Sequence, residues 1–137
     1  MAFGGPHRLA LIGYFRTTHD IDYWLDVLTA ANVVSMRRKP RAPLYESGVR
    51  YQQEKRGPDG MRREEWLIVG ELYRRGVGDC EDLGCARAGE LQVQGERAYA
   101  RAFPRRDRKP GWHIKVVRGD GSIEDPSRIL GMGARAS

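Results

Sequence analysis

The sequence predicts an α+β fold in a single domain, with a helix that opens on Cys80 packed against a small antiparallel sheet. Three observations carry that expectation. Asp79 stands as an N-cap before apolar positions at helical spacing. Two runs of alternating residues flank the turn Gly119-Asp120-Gly121, which marks a hairpin. Ahead of both, apolar residues recur at three- and four-residue steps up to Pro40, the pattern of an amphipathic helix.

In chain order, Leu9 to Phe15 reads as a strand. Thr17-Thr18-His19-Asp20 supplies a helix start, and Ile21 to Met36 is the helix, with Ile21, Trp24, Leu25, Leu28 and Ala31 on its buried face. Pro40 to Pro43 is a connector, and Leu44 to Tyr51 is extended or irregular. Arg56 to Gly60 carries the strongest turn residues of the chain. A second helix is expected from about Arg63 to Arg75, burying Trp66, Leu67, Val69 and Leu72 and stopped by Gly76-Val77-Gly78.

The third helix is expected over Cys80 to Gln94. Asp79 and Asp82 have capping-box spacing, Leu83, Ala86, Ala88, Leu91 and Val93 supply buried positions, and Gly95 follows as the helix-ending glycine. Glu96 to Phe103 alternates through Ala98, Ala100 and Ala102 as a strand. Pro104 to Gly111 is a basic loop. Trp112 to Arg118 is the next strand, with Trp112, Ile114 and Val116 on one face, and Ser122 to Asp125 returns as its partner until Pro126 ends the pairing. Residues from Leu130 onward are small and polar, so a loose tail is expected, with 133–137 beyond the core.

Hydrophobic residues make up 40% and charged residues 31% of the 137, which suits a globular chain with one core. Leu9 to Phe15 is too short to span a bilayer, and no signal-peptide pattern precedes it, so no membrane partner and a cytoplasmic location are expected. The net charge of +6 raises the question of nucleic acid. The arginine clusters at 37–39, 62–63, 74–75 and 105–109 are scattered among acids, which makes nucleic acid an unlikely partner. Cys80 and Cys85 lie five residues apart, which on a helix points them about 140° away from each other and excludes a bridge. His7, His19 and His113 are isolated, so no zinc or other metal site is expected, nor any organic cofactor.

Cys80 carries the chemical interest. A thiol works in catalysis as thiolate, and a helix start lowers its pKa through the free amides of the first turn. The Cys80 backbone N–H is the natural first oxyanion donor, and Gly76 and Gly78 are expected to turn the chain sharply and leave the sulfur uncovered. With a short turn at 119–121, His113 pairs with about Pro126 or Ser127. Asp125 then falls one or two residues off, able to touch His113 across the strands. Cys80, His113 and Asp125 thus form a candidate triad of nucleophile, base and orienting carboxylate. Cys85 reads as a small buried hydrophobe, and Glu81 and Asp82 as first-turn charges.

The blocks Gly76-Val77-Gly78-Asp79-Cys80-Glu81-Asp82-Leu83, Trp112-His113-Ile114-Lys115-Val116 and Gly121-Ser122-Ile123-Glu124-Asp125-Pro126-Ser127 resemble the transglutaminase-like branch of the papain-fold cysteine enzymes. The resemblance runs from about Tyr45 to Met132, with residues 8–36 as an added strand and helix. Gly84 departs from it, standing where the family usually has Ala. The resemblance implies a papain-like core and a thiol-dependent peptidase or amidase that forms a thioester on Cys80 from a protein or peptide substrate. It also implies a second oxyanion donor from an upstream side chain, for which Tyr45 and Tyr51 are the candidates. The short stretches at 44–51 and 130–132 are similar to phage and prophage members. Two alternatives follow: a transamidase that cross-links proteins, or an assembly component of a phage-like particle, bound to other phage structural proteins, with the triad retained.

Overall fold

A helix rich in alanine and glycine can be covered from several sides, and this composition places Cys80–Val93, here α3, at the centre of the fold. The computed structural model describes residues 8–11, 18–53, 64–105 and 112–133. Its elements are β1 (Arg8–Leu11), α1 (Thr18–Arg38), a 3-10 turn (Leu44–Glu46), β2 (Arg50–Tyr51), β3 (Glu64–Leu67), α2 (Val69–Arg75), β4 (Val77–Gly78), α3 (Cys80–Val93), β5 (Ala98–Pro104), β6 (Trp112–Arg118), β7 (Ile123–Glu124) and α4 (Pro126–Ile129). The architecture is α+β. Helix α1 packs on α3 and β5, and α3 packs in turn on β5 and β6.

Three small sheets serve these helices. β5, β6 and β7 form an antiparallel sheet in that order, β1 pairs antiparallel with β3, and β2 pairs parallel with β4. Small side chains allow the close contacts around α3. A methyl group added to Gly84 would lie 2.8 Å from Ile114 Cγ2 and 3.8 Å from Ala100 Cβ, so the glycine is what lets β6 approach the helix. One part of the core joins Leu25, Leu28, Cys85, Ala98, Ala100 and Ile114 between α1, α3 and the sheet. The other joins Leu44, Leu67, Leu72, Leu83, Ala86 and Leu130 on the remaining side. No described helix is long and apolar enough to cross a membrane.

Several expectations change. The second helix does not begin near Arg63: Glu64–Leu67 is strand β3, paired with β1, and α2 starts at Val69. A short apolar run reads equally as strand or helix. Here distant partners decide, because Leu67 N–H donates to Asp82 Oδ1 at 2.7 Å and Val69 N–H to Asn32 Oδ1 at 2.8 Å. Val77–Gly78 is a strand as well as the stop of α2. Trp24 and Val93 are exposed, whereas Thr29 and Asn32 join the buried face of α1. Pro126 ends the hairpin but also opens α4. Leu130 is buried, and its carbonyl accepts from Tyr51 N–H at 2.9 Å, so the ordered chain runs past it. Residues 12–15 of the expected first strand, the Arg56–Gly60 turn, most of the basic loop and residues 134–137 lie outside the described residues.

Candidate active site

The chain enters α3 through a constrained approach. Gly76 closes α2 in the left-handed region at φ 74°, and its N–H donates to Leu72 O at 2.9 Å. Gly78 then runs beside Tyr51 in the parallel pair. A side chain there would collide with Leu72 Cδ1 and reach within 3.1 Å of Asp82 Cβ. Asp79 remains extended and caps the helix: its Oδ1 accepts from Cys80 N–H at 2.7 Å, and Asp82 Oδ2 accepts from Asp79 N–H at 3.0 Å. The capping box is present with Asp in place of the usual Glu. Asp82 is buried, and through Leu67 N–H it also ties β3 to the first turn of α3.

The sheet presents the other two candidates. Val116 pairs with Glu124 and Val117 with Ile123, so continued pairing would set His113 opposite Ser127. Asp125 falls two positions short of that, on the diagonal, and its Oδ2 lies 2.8 Å from His113 Nε2. Because an ionised carboxylate only accepts, a neutral His113 carries its proton on Nε2 and keeps the lone pair on Nδ1. Both side chains are half-buried. Phe103 faces His113 from the neighbouring strand. Asp125 Oδ1 accepts from Arg128 N–H at 3.3 Å, so this carboxylate orients His113 and caps α4 at once.

Cys80 meets this pair at the edge of β6. Ala102 N–H turns out to Asp22 Oδ1 at 2.8 Å, so Ala102 and Ile114 form a pair without ladder hydrogen bonds. The Ile114 N–H therefore faces the β7 side, where pairing stops at Glu124. That N–H lies near enough to the Cys80 sulfur to lower its pKa. Ile114 directly follows His113 on the strand.

The electrostatics correct one expectation. Burial pushes the Cys80 thiol well above its ordinary value, and the carboxylates of Glu81 and Asp79 add to the effect, while the Ile114 N–H opposes it. Only 8% of the residue is exposed, so the glycines before it do not leave the sulfur uncovered. The resting group is a neutral thiol, because burial and three neighbouring carboxylates outweigh the helix start. Burial likewise raises the Cys85 thiol, whose sulfur lies 3.5 Å from Leu25 O.

Of the proposed oxyanion donors, the Cys80 N–H is taken by Asp79. The Tyr45 hydroxyl donates to Glu124 Oε2 at 3.1 Å, and its ring stacks under the Arg87 guanidinium. Burial, with the carboxylates of Asp79 and Glu81 nearby, pushes the Tyr51 pKa up to about 12. The hydroxyl remains a protonated donor at neutral pH. Asp79, Cys80 and Glu81 also bring ligand atoms within 4.8 Å of one another. The Asp79 carboxylate is accounted for by the helix cap, and no metal is assigned. An open cleft lined by Gln52, Gln53, Glu65 and Arg75 extends to Asp79 and Asp82 but is not lined by Cys80, His113 or Asp125.

Sequence reasoning missed Ile114 N–H, Arg87 and Glu124. The last two had a usable signal, since Arg87 lies seven residues, almost two helical turns, beyond Cys80 and Glu124 directly precedes Asp125. No family model, curated protein or solved structure matches the chain.

Proposed function

We propose that the chain is a thiol-dependent hydrolase of peptide or amide bonds, on a papain-like core of transglutaminase-like type, working through Cys80, His113 and Asp125. The observation that carries this reading is the His113 Nε2–Asp125 Oδ2 contact of 2.8 Å, on the residue next to Ile114, whose N–H lies near enough to the Cys80 sulfur to lower its pKa. The contact leaves Nδ1 of His113 as the base. As the sulfur attacks a carbonyl carbon, Nδ1 takes the thiol proton, so no thiolate has to be stored beforehand. Asp125 holds the tautomer and stabilises the imidazolium that forms.

The tetrahedral oxyanion then collapses, the C–N bond breaks, and His113 returns the proton to the departing amine. Water, deprotonated by His113, cleaves the thioester and restores the thiol. The Tyr51 hydroxyl is the better-supported side-chain donor to the oxyanion, because Tyr45 is engaged by Glu124 and Arg87. A mixture of fluorescein-labelled casein and a dansylated amine tests the reading. Release of acid-soluble peptides that disappears in Cys80→Ala supports hydrolysis. Dansyl incorporation into casein without peptide release would move the assignment to a transamidase. Neither product, with Cys80 inert towards thioester formation, would remove the enzymatic reading.

A further inference from the structure

We infer that Arg87 and Glu124 are positioning residues, a clamp between α3 and the end of β7 that sets where Asp125, and through it His113, stands relative to Cys80. The inference rests on the reading of those three residues as a triad. Arg87 follows Cys80 by seven residues, about 20° short of two full turns and about 10 Å along the helix. The two side chains therefore leave the same face of α3, towards the same sheet. Cys80 meets β6 just beyond the end of β7, and Arg87 meets the last residue of β7.

The Arg87–Glu124 contact is a bidentate one. Arg87 Nε donates to Glu124 Oε2 at 2.8 Å and Nη2 to Oε1 at 3.1 Å. The same carboxylate accepts from the Tyr45 hydroxyl at 3.1 Å and from Arg118 Nη1 at 3.2 Å. Arg87 lies 4.7 Å above the Tyr45 ring and 3.5 Å from Glu90 Oε1, while Glu90 Oε2 accepts from Leu44 N–H at 3.2 Å. Side chains from the 3-10 turn, α3 and β6 thus converge on the one carboxylate of β7. Arg87 is 15% and Glu124 19% exposed, so this is no solvated surface pair.

The ladder explains why such a clamp is needed. β7 has two residues and pairs with β6 only at Ile123 and Glu124. A strand that short does not fix its own end. The next residue is Asp125, after which the chain leaves the sheet for α4. Side-chain hydrogen bonds at Glu124 supply the rigidity that further pairing would give, and they do so against the helix that carries the nucleophile. A planar guanidinium has the geometry for this, and a lysine ammonium does not.

Iodoacetamide alkylation of Cys80 near neutral pH, measured beside the melting temperature, tests the clamp. The variants are Arg87→Lys, Glu124→Gln, His113→Ala and the Arg87→Lys/His113→Ala double. In Arg87→Lys the expected alkylation rate falls between about 10- and 100-fold, as for a reacting group displaced by about 1 Å, with melting lowered by only a few degrees. The double variant is expected to be no slower than His113→Ala alone. An unchanged rate with lowered melting would make the pair purely structural and overturn the clamp while the triad stands. An additive loss in the double variant would also overturn it, since Arg87 would then act without His113. If the native protein is indifferent to His113→Ala, the triad reading fails first and the clamp falls with it. Should Arg87→Lys not fold, Glu124→Gln, with nearly the same shape, decides by the same two quantities.

Discussion

Cys80 and Cys85 lie on one helix, both buried and both with thiols raised by that burial, yet their surroundings differ in kind. Cys85 sits in the seam between α1 and α3, its sulfur donating to the Leu25 carbonyl at 3.5 Å. Cys80 opens the helix, and its thiol feels the backbone N–H of Ile114, the residue after a histidine held by a carboxylate. Burial therefore does not tell the two thiols apart. What sets Cys80 apart is its place beside Ile114, next along the strand to the His113 of the proposed triad.

The comparison breaks most visibly at Asp125. Asp125→Ala removes the acceptor that holds a proton on His113 Nε2. Cleavage of labelled casein is expected to fall by about 10²-fold or more. The ¹⁵N shifts of His113 are expected to lose a single dominant tautomer, and full activity would show that the 2.8 Å contact has no role in the reaction. Gly84→Ala tests the packing that brings β6 to the helix. Overpacking against Ile114 costs about 1–3 kcal/mol, and the gain in helix propensity returns up to about 1 kcal/mol. A net loss of about 1 kcal/mol in urea unfolding is expected, with slower alkylation of Cys80 because Ile114 carries the N–H that lies near its sulfur.

The smallest effect concerns pH. Both thiols have raised folded-state pKa values, so above about 8.5 the unfolded chain loses protons that the folded chain keeps. Stability is expected to decline as pH rises through that range. Cys85→Ala should lessen the slope at a cost of about 1 kcal/mol, leaving activity unchanged. A slope indifferent to both cysteines would mean that neither thiol is held protonated by the fold.

Much of α3 and its hairpin could be read from the residues, because the signals there are local. The Asp79–Asp82 box, the alanines at alternate positions of β5 and the Gly119–Gly121 turn each act within a few residues. The turn length put Asp125 one or two positions from the residue opposite His113, and the register makes it two. What could not be read depends on partners far away in sequence. β3 is a strand because β1 lies beside it and Asp82 takes the Leu67 N–H. The Cys80 N–H was expected to be available, but Asp79 claims it through the same cap that makes the helix legible. The raised thiol likewise comes from packing that no local pattern records.

The most direct test of the central claim is site-resolved alkylation of the folded protein by iodoacetamide near neutral pH, with and without His113. The account expects labelling confined to Cys80, at least about tenfold slower in His113→Ala, and Cys85 labelled only after unfolding. Equal and slow labelling of the two cysteines, or a Cys80 rate that does not change when His113 is removed, would contradict it.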